Sequence, residues 1–189
     1  MRQTADRIIE KAGKVKLLLL DVDGILTDGR ILINDIGQEI KSFHVQDGQG
    51  IRWLQKAGIE VGILSGRSSP AVTARAGELR ISLLFQWIND KMIIFHELLE
   101  KSSLSGDQVA YGGDDFIDLK LLKAVGFSFS VPNAHPLIQE EVDYLTGNTG
   151  GYGAVREVCE LILKAQGRWD SLLERYGLQR DRRDRFPAE

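Results

Sequence analysis

Four consecutive leucines, Leu17–Leu20, run directly into the sequence Asp21-Val-Asp-Gly. An uninterrupted apolar run of this length that stops at a glycine turn predicts a strand buried on both faces of a sheet. Ligands in open parallel sheets bind at the carboxyl ends of the strands, so Asp21 and Asp23 are predicted to lie at the ligand-binding edge. Because unpaired buried carboxylates are prohibitively costly, these two must be solvated, hydrogen-bonded or bound to a metal ion. The alternative is an acidic turn in which Gly24 only makes the bend.

Short apolar runs alternate with stretches of helical periodicity along most of the chain. This alternation is typical of a parallel sheet with helices on both faces, and it predicts an α/β fold with a single doubly wound sheet. The predicted strands are residues 16–22, 61–64, 83–85, 109–112, 127–131 and 144–145. The predicted helices are residues 50–56, 71–79, 91–101, 116–124 and 154–165.

Residues 30–43 interrupt this alternation. They contain two extended arms joined by a turn at residues 34–37, which predicts a β-hairpin rather than a crossover helix. After Gln166 the chain becomes strongly charged with mixed signs, which favours a solvated segment over a basic binding patch. We therefore expect one domain over residues 1–167, with the hairpin at about residues 30–43, and a charged C-terminal helix and tail over residues 168–189.

Composition limits the possible partners. The 189 residues, 43% of them apolar, can bury one substantial core, and the net charge of -3 provides no broad positive field for nucleic acid or an anionic membrane. No apolar run approaches the roughly 20 residues that span a bilayer, and residues 1–16 lack a signal-peptide layout. We expect a cytoplasmic protein without nucleic-acid or membrane partners. The single cysteine, Cys159, lies in an apolar helical pattern and is expected to be a buried, inert thiol.

A second acidic cluster follows the strand predicted at residues 109–112, in the sequence Tyr111-Gly-Gly-Asp-Asp-Phe-Ile-Asp. Asp114 and Asp115 lie between this strand and a helix, so two acidic strand ends in one sheet suggest a shared cation. Hard oxygen ligands suit Mg²⁺, which keeps several waters and is often completed by a substrate phosphate oxygen. Helix capping is the alternative for Asp115 and Asp118, and for Asp118 the two interpretations are equally supported.

Two further features follow strands and open helices: Ser65-Gly66-Arg67 and Asn89-Asp90-Lys91. A hydroxyl and exposed main-chain N–H groups at a helix start can bind phosphate oxygens, and a lysine can neutralise the charge of a transferring phosphoryl group. Taken singly, the first is also ordinary capping chemistry and the second an ordinary surface lysine. The order of all four features along the chain is more specific, and it indicates phosphoryl transfer.

This order of motifs resembles the haloacid dehalogenase superfamily, whose four motifs are matched by Asp21-Val-Asp-Gly-Ile-Leu-Thr, Ser65, Lys91 and Gly113-Asp-Asp-Phe-Ile-Asp. The resemblance implies a Rossmann-like phosphatase that works through an aspartyl-phosphate. In it, Asp21 is the nucleophile and Asp23 the general acid and base.

The same resemblance implies the other site residues. Mg²⁺ would be bound by the carboxylates of Asp21 and Asp114 and by the main-chain carbonyl of Asp23, with Asp115 in support. The substrate would be bound by residues of the first three motifs and their neighbours: Thr27, Ser65, Gly66, Arg67 and Lys91.

Superfamily members often carry a cap domain, either after the first motif or between the second and third. Neither interval is long enough here, so a capless fold is expected, and small capless members typically borrow active-site walls from neighbouring subunits. More closely, residues 15–167 resemble the 3-deoxy-D-manno-octulosonate 8-phosphate phosphatases of lipopolysaccharide precursor synthesis. The resembling segments begin at Asp23, Lys41, Ser65, Val131 and Gly150. This implies a homotetramer whose hairpins contribute to assembly and to neighbouring active sites.

The implied substrate is an acidic sugar phosphate, and Arg67 can offer its carboxylate a bidentate partner. Related phosphatases for nine-carbon sugar acids tend to have glutamate at this position, so Arg67 favours the eight-carbon substrate. Gln46 and Tyr152 depart from the family pattern, where arginine is frequent, and each loses a potential anion contact. The alternatives are a nonulosonate 9-phosphate phosphatase, a receiver-like phosphoacceptor domain and a phosphomutase, the last disfavoured by the missing cap.

Overall fold

The part of the chain described by the computed structural model, residues 2–178, forms eight strands and eight α-helices. The strands are β1 (Leu17–Leu20), β2 (Leu32–Ile33), β3 (Glu39–Ile40), β4 (Glu60–Leu64), β5 (Leu83–Phe85), β6 (Val109–Gly112), β7 (Phe127–Ser130) and β8 (Tyr144–Leu145). The helices are α1 (Arg2–Gly13), α2 (Val45–Lys56), α3 (Pro70–Leu79), α4 (Lys91–Ser102), α5 (Leu119–Ala124), α6 (Pro136–Gln139), α7 (Ala154–Ala165) and α8 (Trp169–Arg175). Short 3₁₀ turns cover Gly106–Gln108 and Phe116–Asp118.

Six of the strands form one parallel sheet in the order β5-β4-β1-β6-β7-β8. Strand β1 lies at its centre, where Leu20 is paired with Ile63 of β4 and with Gly112 of β6. The chain therefore runs outward from β1 through β4 to β5 and returns on the other side of β1 through β6. This change of direction opens a crevice at the carboxyl ends of β1, β4 and β6, as in other doubly wound sheets. The predicted α/β fold without a cap domain is confirmed.

The four leucines of β1 divide between two cores. Leu18 and Leu20 pack in a cluster that includes apolar residues of α2, α3 and α7, whereas Leu17 and Leu19 pack with residues of α4 and α5. All four are at most 1% exposed. Each fully buried leucine contributes about 1.5–3 kcal/mol relative to an exposed one. The strand is thus covered on both faces, which is the condition that the leucine run predicted.

Helices α2 and α7 pack closely on one face of the sheet. A side chain at Gly50 of α2 would come within 3.2 Å of Arg156 and Cys159 of α7. The buried carboxylate of Asp47 accepts a hydrogen bond of 2.7 Å from the main-chain N–H of Arg156 and so caps α7. Cys159 is fully buried, and burial raises the pKa of its thiol well above the usual value, as expected of an inert cysteine.

Residues 30–43 contain the predicted hairpin, with Leu32 opposite Ile40 and Ile33 opposite Glu39 in an antiparallel pair. The side-chain oxygen of Asn34 accepts hydrogen bonds from the N–H groups of Ile36 and Gln38, at 3.1 and 2.8 Å, and closes the turn. Each arm pairs over only two residues. Five apolar side chains of the hairpin are exposed to solvent: Ile31, Leu32, Ile33, Ile36 and Ile40.

Some elements differ from the sequence prediction. Helix α2 begins at residue 45, not at the predicted residue 50. The prediction began too late because Gly48 and Gly50, in the first turns, weaken the helical pattern of the sequence. The helix predicted at 116–124 is divided into a 3₁₀ turn and α5. Helices α1 and α6 had no sequence prediction. Helix α8 lies within residues 168–189, the segment expected to form a charged C-terminal helix and tail, and residues 179–189 of that segment lie outside the described residues. Within residues 2–178, no helix is long and apolar enough to cross a bilayer.

Candidate active site

Asp21 lies immediately after β1, at the carboxyl edge of the sheet. Its main-chain N–H donates to the carbonyl oxygen of Gly112 at 3.0 Å, so the residue is still in register with β6. Its side chain is buried, and one carboxylate oxygen accepts a hydrogen bond of 2.6 Å from the Lys91 ammonium. The predicted nucleophile and the predicted phosphate-binding lysine are therefore direct neighbours.

Lys91 is the first residue of α4, and its ammonium has three partners. Besides Asp21 it donates to the Tyr111 hydroxyl at 2.8 Å and to the Asp118 carboxylate at 2.6 Å. Burial acts to lower the pKa of Lys91, but the carboxylates of Asp21 and Asp118 outweigh it and hold the pKa above its usual value. Although Lys91 is only 4% exposed, it stays a cation at neutral pH, fixed beside Asp21.

Asp118 is fully buried and organises the loop after β6. One oxygen accepts from Lys91 and from the Tyr111 hydroxyl, the latter at 2.5 Å. The other accepts from the main-chain N–H groups of Asp114 and Asp115 at 3.1 and 3.3 Å. Neither Asp118 nor Tyr111 was among the predicted site residues. For Asp118 the available signal was its place at the end of the fourth motif.

The carboxylates of Asp21, Asp114 and Asp118 converge, and one oxygen from each lies within 4.8 Å of the other two. Burial raises the pKa of both Asp21 and Asp114 to about 7; in each case neighbouring carboxylates add to the effect and Lys91 opposes it. Among residues 2–178, Lys91 is the lysine that pairs with these acids, so negative charge is in excess. Such a set of hard oxygen donors suits a divalent cation such as Mg²⁺.

Two glycines make this arrangement possible. A side chain at Gly24, whose φ is +96°, would lie 2.0 Å from a carboxylate oxygen of Asp114. A side chain at Gly150 would lie 1.6 Å from the carbonyl oxygen of Gly24. Asn133 joins the two segments, since its amide donates to the Gly24 carbonyl at 3.3 Å and accepts from the Gly150 N–H at 2.8 Å. The loop that carries both aspartates is thus clamped from the C-terminal part of the chain.

Ser65, Gly66 and Thr27 lie around the same edge. Ser65 is buried at the end of β4, where its hydroxyl accepts from the Arg67 N–H at 3.2 Å, and Gly66 is half-buried beside it. Thr27 is also buried, and its hydroxyl donates to the Val22 carbonyl at 3.3 Å within the aspartate loop. Because β4 pairs with β1, Ser65 lies next to the end of β1 that carries Asp21. The Thr27 hydroxyl, in contrast, is hydrogen-bonded within the aspartate loop.

Asp23 belongs to a second group of charges at the rim of the site. Its carboxylate pairs with the ammonium of Lys41, from the hairpin, and that ammonium also lies 3.3 Å from Glu39. Glu39 in turn accepts from the Arg67 guanidinium at 2.6 Å. Sequence reasoning missed Lys41 and Glu39; the only signal was the charged-apolar-charged alternation Glu39-Ile40-Lys41 at the end of the hairpin.

Three further residues that the sequence singled out are exposed: Asp115, Gln46 and Tyr152. Asp115 is exposed, and its carboxylate accepts from the Phe116 N–H at 2.7 Å, so it caps the 3₁₀ turn and is not part of the three-carboxylate cluster. Gln46, near the start of α2, and Tyr152, in the loop before α7, are both exposed. The structure therefore joins Asp21 and Asp114 but not Asp115.

Comparison with known proteins gives consistent matches. The haloacid dehalogenase-like hydrolase family matches residues 88–158. The chain is 47% identical over 163 residues to 3-deoxy-D-manno-octulosonate 8-phosphate phosphatase KdsC of Escherichia coli (strain K12), covering 86% of this chain and 87% of that protein. It is 46% identical over 162 residues to KdsC of Yersinia pestis, with coverage of 86% and 87%.

Solved structures give the same result. A 3-deoxy-D-manno-octulosonate 8-phosphate phosphatase from Moraxella catarrhalis, in complex with magnesium ion, phosphate ion and a KDO molecule, superposes with a TM-score of 0.88 and 46% identity, covering 90% of this chain and 98% of that one. A probable YrbI-family phosphatase from Pseudomonas syringae pv. phaseolica gives a TM-score of 0.90 and 40% identity, covering 93% and 99%. The similarity thus covers most of the chain and not a single motif.

Proposed function

This chain belongs to the 3-deoxy-D-manno-octulosonate 8-phosphate phosphatase family of the haloacid dehalogenase-like hydrolases, and we propose that it hydrolyses that sugar acid phosphate to the free sugar acid and phosphate. The reaction would serve lipopolysaccharide precursor synthesis. The observation that carries the proposal is the buried contact between Asp21 and Lys91 beside the carboxylates of Asp114 and Asp118. This arrangement puts a nucleophile and a phosphate-binding cation at the ligand edge of the sheet.

In the proposed mechanism, a carboxylate oxygen of Asp21 attacks phosphorus and forms an aspartyl-phosphate, while the bond to the sugar oxygen breaks. Asp23 donates a proton to the departing alkoxide and then takes a proton from the water that attacks the aspartyl-phosphate. Phosphate leaves and Asp21 is regenerated. Lys91 compensates the charge of the phosphoryl oxygens throughout.

We infer the remaining substrate contacts from where four residues lie relative to Asp21. Ser65 and Gly66, at the carboxyl end of β4, would bind phosphoryl oxygens next to Asp21, with Thr27 on the aspartate loop nearby. Arg67 is 44% exposed at the rim, where its guanidinium would pair with the substrate carboxylate. These roles supplement the contact between Lys91 and the phosphoryl group.

The residues present fit Mg²⁺, because the three converging carboxylates need positive charge that Lys91 alone does not supply. Asp21, Asp114 and the main-chain carbonyl of Asp23 would hold the ion, and Asp115 would support it. When bound, Mg²⁺ supplies charge that keeps Asp21 ionised and offsets the negative charge of the phosphoryl group. Asp118 would contribute by fixing the loop that carries Asp114.

We also propose that the protein is a cytoplasmic homotetramer in which neighbouring subunits complete each active site. The support is the hairpin, whose exposed isoleucines and leucine form an apolar surface unusual for a free monomer: Ile31, Leu32, Ile33, Ile36 and Ile40. The hairpin also contacts the rim of the site through Lys41, so a neighbour that covers it would lie close to the substrate.

The test is phosphate release from a panel of substrates with Mg²⁺ present. The panel contains 3-deoxy-D-manno-octulosonate 8-phosphate, a nonulosonate 9-phosphate and a sugar phosphate without a carboxylate. We expect the eight-carbon acid to have the highest kcat/KM, and we expect a chelator to abolish turnover until Mg²⁺ is restored. Preference for the nine-carbon acid would reassign the substrate, and a stable phosphoprotein without turnover would favour the receiver-like alternative.

A further inference from the structure

The hairpin presents two chemically different faces. Successive side chains of a strand point to opposite sides, so Glu39 and Lys41 share one side while Ile40 points to the other. Ile40 is half exposed, whereas the Lys41 side chain is only 2% exposed and that of Glu39 is 16% exposed. The charged side of the hairpin is therefore turned toward the protein, where Lys41 pairs with Asp23 and Glu39 pairs with Arg67.

Lys41 is in contact with the acid that the proposed mechanism uses for proton transfer. Its ammonium pairs with the carboxylate of Asp23 and lies 3.3 Å from Glu39. Without the ammonium, two carboxylates would face one another in a largely buried space, and their repulsion would drive Asp23 from its position. The long side chain of Lys41 thus acts as a spacer that fixes where the Asp23 carboxylate lies.

Glu39 has the corresponding relation to Arg67. One guanidinium nitrogen of Arg67 donates to Glu39 at 2.6 Å, which restrains a side chain that is otherwise 44% exposed. A guanidinium has five N–H donors, so the others stay free for a second carboxylate. Glu39 therefore reduces the number of conformations that Arg67 must lose when a substrate carboxylate binds.

We propose that Glu39 and Lys41 are positioning residues of the active site, Lys41 for the proton-transferring Asp23 and Glu39 for the carboxylate-binding Arg67. The inference rests on the proposed function and extends it to the hairpin. One short strand then adjusts both the proton-transfer step and the recognition of the substrate acid, so the hairpin has a role within its own subunit in addition to assembly.

Lys41→Met tests the first half, because methionine keeps the apolar stem and removes the ammonium. The matched control is Lys101→Met, which breaks an exposed pair with Glu97 at the far end of α4. Each variant is assayed with the sugar acid phosphate and with p-nitrophenyl phosphate, whose leaving group departs without a proton. We expect Lys41→Met to lower kcat for the sugar phosphate by about ten- to a hundredfold and for the aryl ester by clearly less.

Glu39→Gln tests the second half. We expect it to raise KM for the sugar acid phosphate by about three- to tenfold, with kcat nearly unchanged and no effect on a substrate without a carboxylate. Lys41→Arg, which keeps the charge, is expected to restore most of the kcat lost in Lys41→Met. A purely structural role would not divide the two effects between kcat and KM in this way.

The outcomes separate the inference from the proposed function. Equal losses on both substrates in Lys41→Met, or behaviour like that of Lys101→Met, would overturn the role of Lys41. An unchanged KM in Glu39→Gln would overturn that of Glu39. Circular dichroism and the melting temperature report folding, and if Lys41→Met does not fold, Lys41→Arg and Glu39→Gln decide. If the wild-type chain hydrolyses aryl phosphate but no sugar acid phosphate, the proposed substrate fails, whereas the Lys41 comparison on any alkyl phosphate still stands.

Discussion

The site contains two groups of paired charges that differ in how they are held. The central group, Asp21, Lys91 and Asp118, is buried, and its members come from the end of β1, the start of α4 and the turn after β6. The rim group runs from Asp23 through the hairpin to Arg67 and is partly exposed. The sheet determines the geometry of the centre, whereas a hairpin with two paired residues in each arm determines that of the rim.

This difference in burial suits the central group to binding the phosphoryl group and the rim group to discriminating between substrates. In the buried centre an unpaired charge is costly, so the arrangement is rigid and suited to the phosphoryl group that all substrates share. At the rim the pair between Glu39 and the partly exposed Arg67 contributes little to stability, so Arg67 can change with the substrate. The following experiments would sharpen or break the comparison, taken from the largest expected effect to the smallest.

Asp21→Asn changes the centre with the least disturbance of shape. The neutral amide is isosteric but a poor nucleophile, so we expect phosphate release to fall by at least about a thousandfold on every substrate. Assays with sugar phosphate and aryl phosphate measure this, and circular dichroism confirms the fold. Normal turnover on either substrate would show that the centre does not hold the nucleophile.

Lys91→Met removes the cation of the centre and leaves Asp118 buried without its ion-pair partner. We expect a loss of about 3–5 kcal/mol in the free energy of unfolding, measured in urea without Mg²⁺. We also expect a decrease in kcat of about a hundredfold or more. The exposed pair broken in Lys101→Met should change the free energy of unfolding by at most about 0.5 kcal/mol. If Lys91→Met and Lys101→Met changed the free energy of unfolding equally, the distinction between the buried and the exposed ion pairs would be wrong.

Arg67→Ala tests whether the rim group distinguishes substrates with a carboxylate from those without one. Loss of charged hydrogen bonds to the substrate carboxylate is expected to raise KM for the sugar acid phosphate about ten- to a hundredfold. Hydrolysis of a phosphate ester without a carboxylate should be unchanged, because the centre is intact. Arg7→Ala on the exposed side of α1 is the matched control. A general loss on all esters would instead assign Arg67 to the phosphoryl group.

The pH dependence of Mg²⁺ binding tests the charge excess of the centre. Since burial raises the pKa of Asp21 and Asp114 to about 7, protons compete with the cation below that pH. We expect Mg²⁺ affinity, measured by titration calorimetry, to rise by about tenfold or more from pH 6 to pH 8. The folded-state values lie above the usual 3.8, so without Mg²⁺ these groups also destabilise the fold as pH rises towards 7. An Mg²⁺ affinity that does not change between pH 6 and pH 8 would contradict the raised pKa of Asp21 and Asp114.

Sequence reasoning was most successful where a signal is local. The strands are short apolar runs between turn residues, and five of the six central strands lie within one residue of their predicted ends. The motifs at residues 21–27, 65–67 and 114–118 follow such strands, so the sheet itself brings them to one edge. The roles predicted for the site residues all stay predictions, and the side chains of Asp115 and Thr27 cap a turn and bond within a loop.

The features that could not be predicted from the sequence depend on contacts between residues far apart in the chain. Tyr111 reads as one more apolar residue of β6, and only the fold shows its hydroxyl between Lys91 and Asp118. The same applies to the hairpin, because the direction in which Lys41 points depends on how two short arms fold back over the aspartate loop. Helix α1 was missed for a similar reason: few of its residues are apolar, and it is stabilised by packing against α7.

The contact between Gly24 and Gly150 has a consequence for the order of events during protein synthesis. The loop with both aspartates leaves the ribosome early, but the glycine and Asn133 that clamp it follow only after most of the chain. Contacts between such distant residues carry a large loop-closure cost. A nascent chain that ends before residue 150 therefore lacks one side of this clamp, while the partners that hold Asp21 itself, Gly112 and Lys91, are already present.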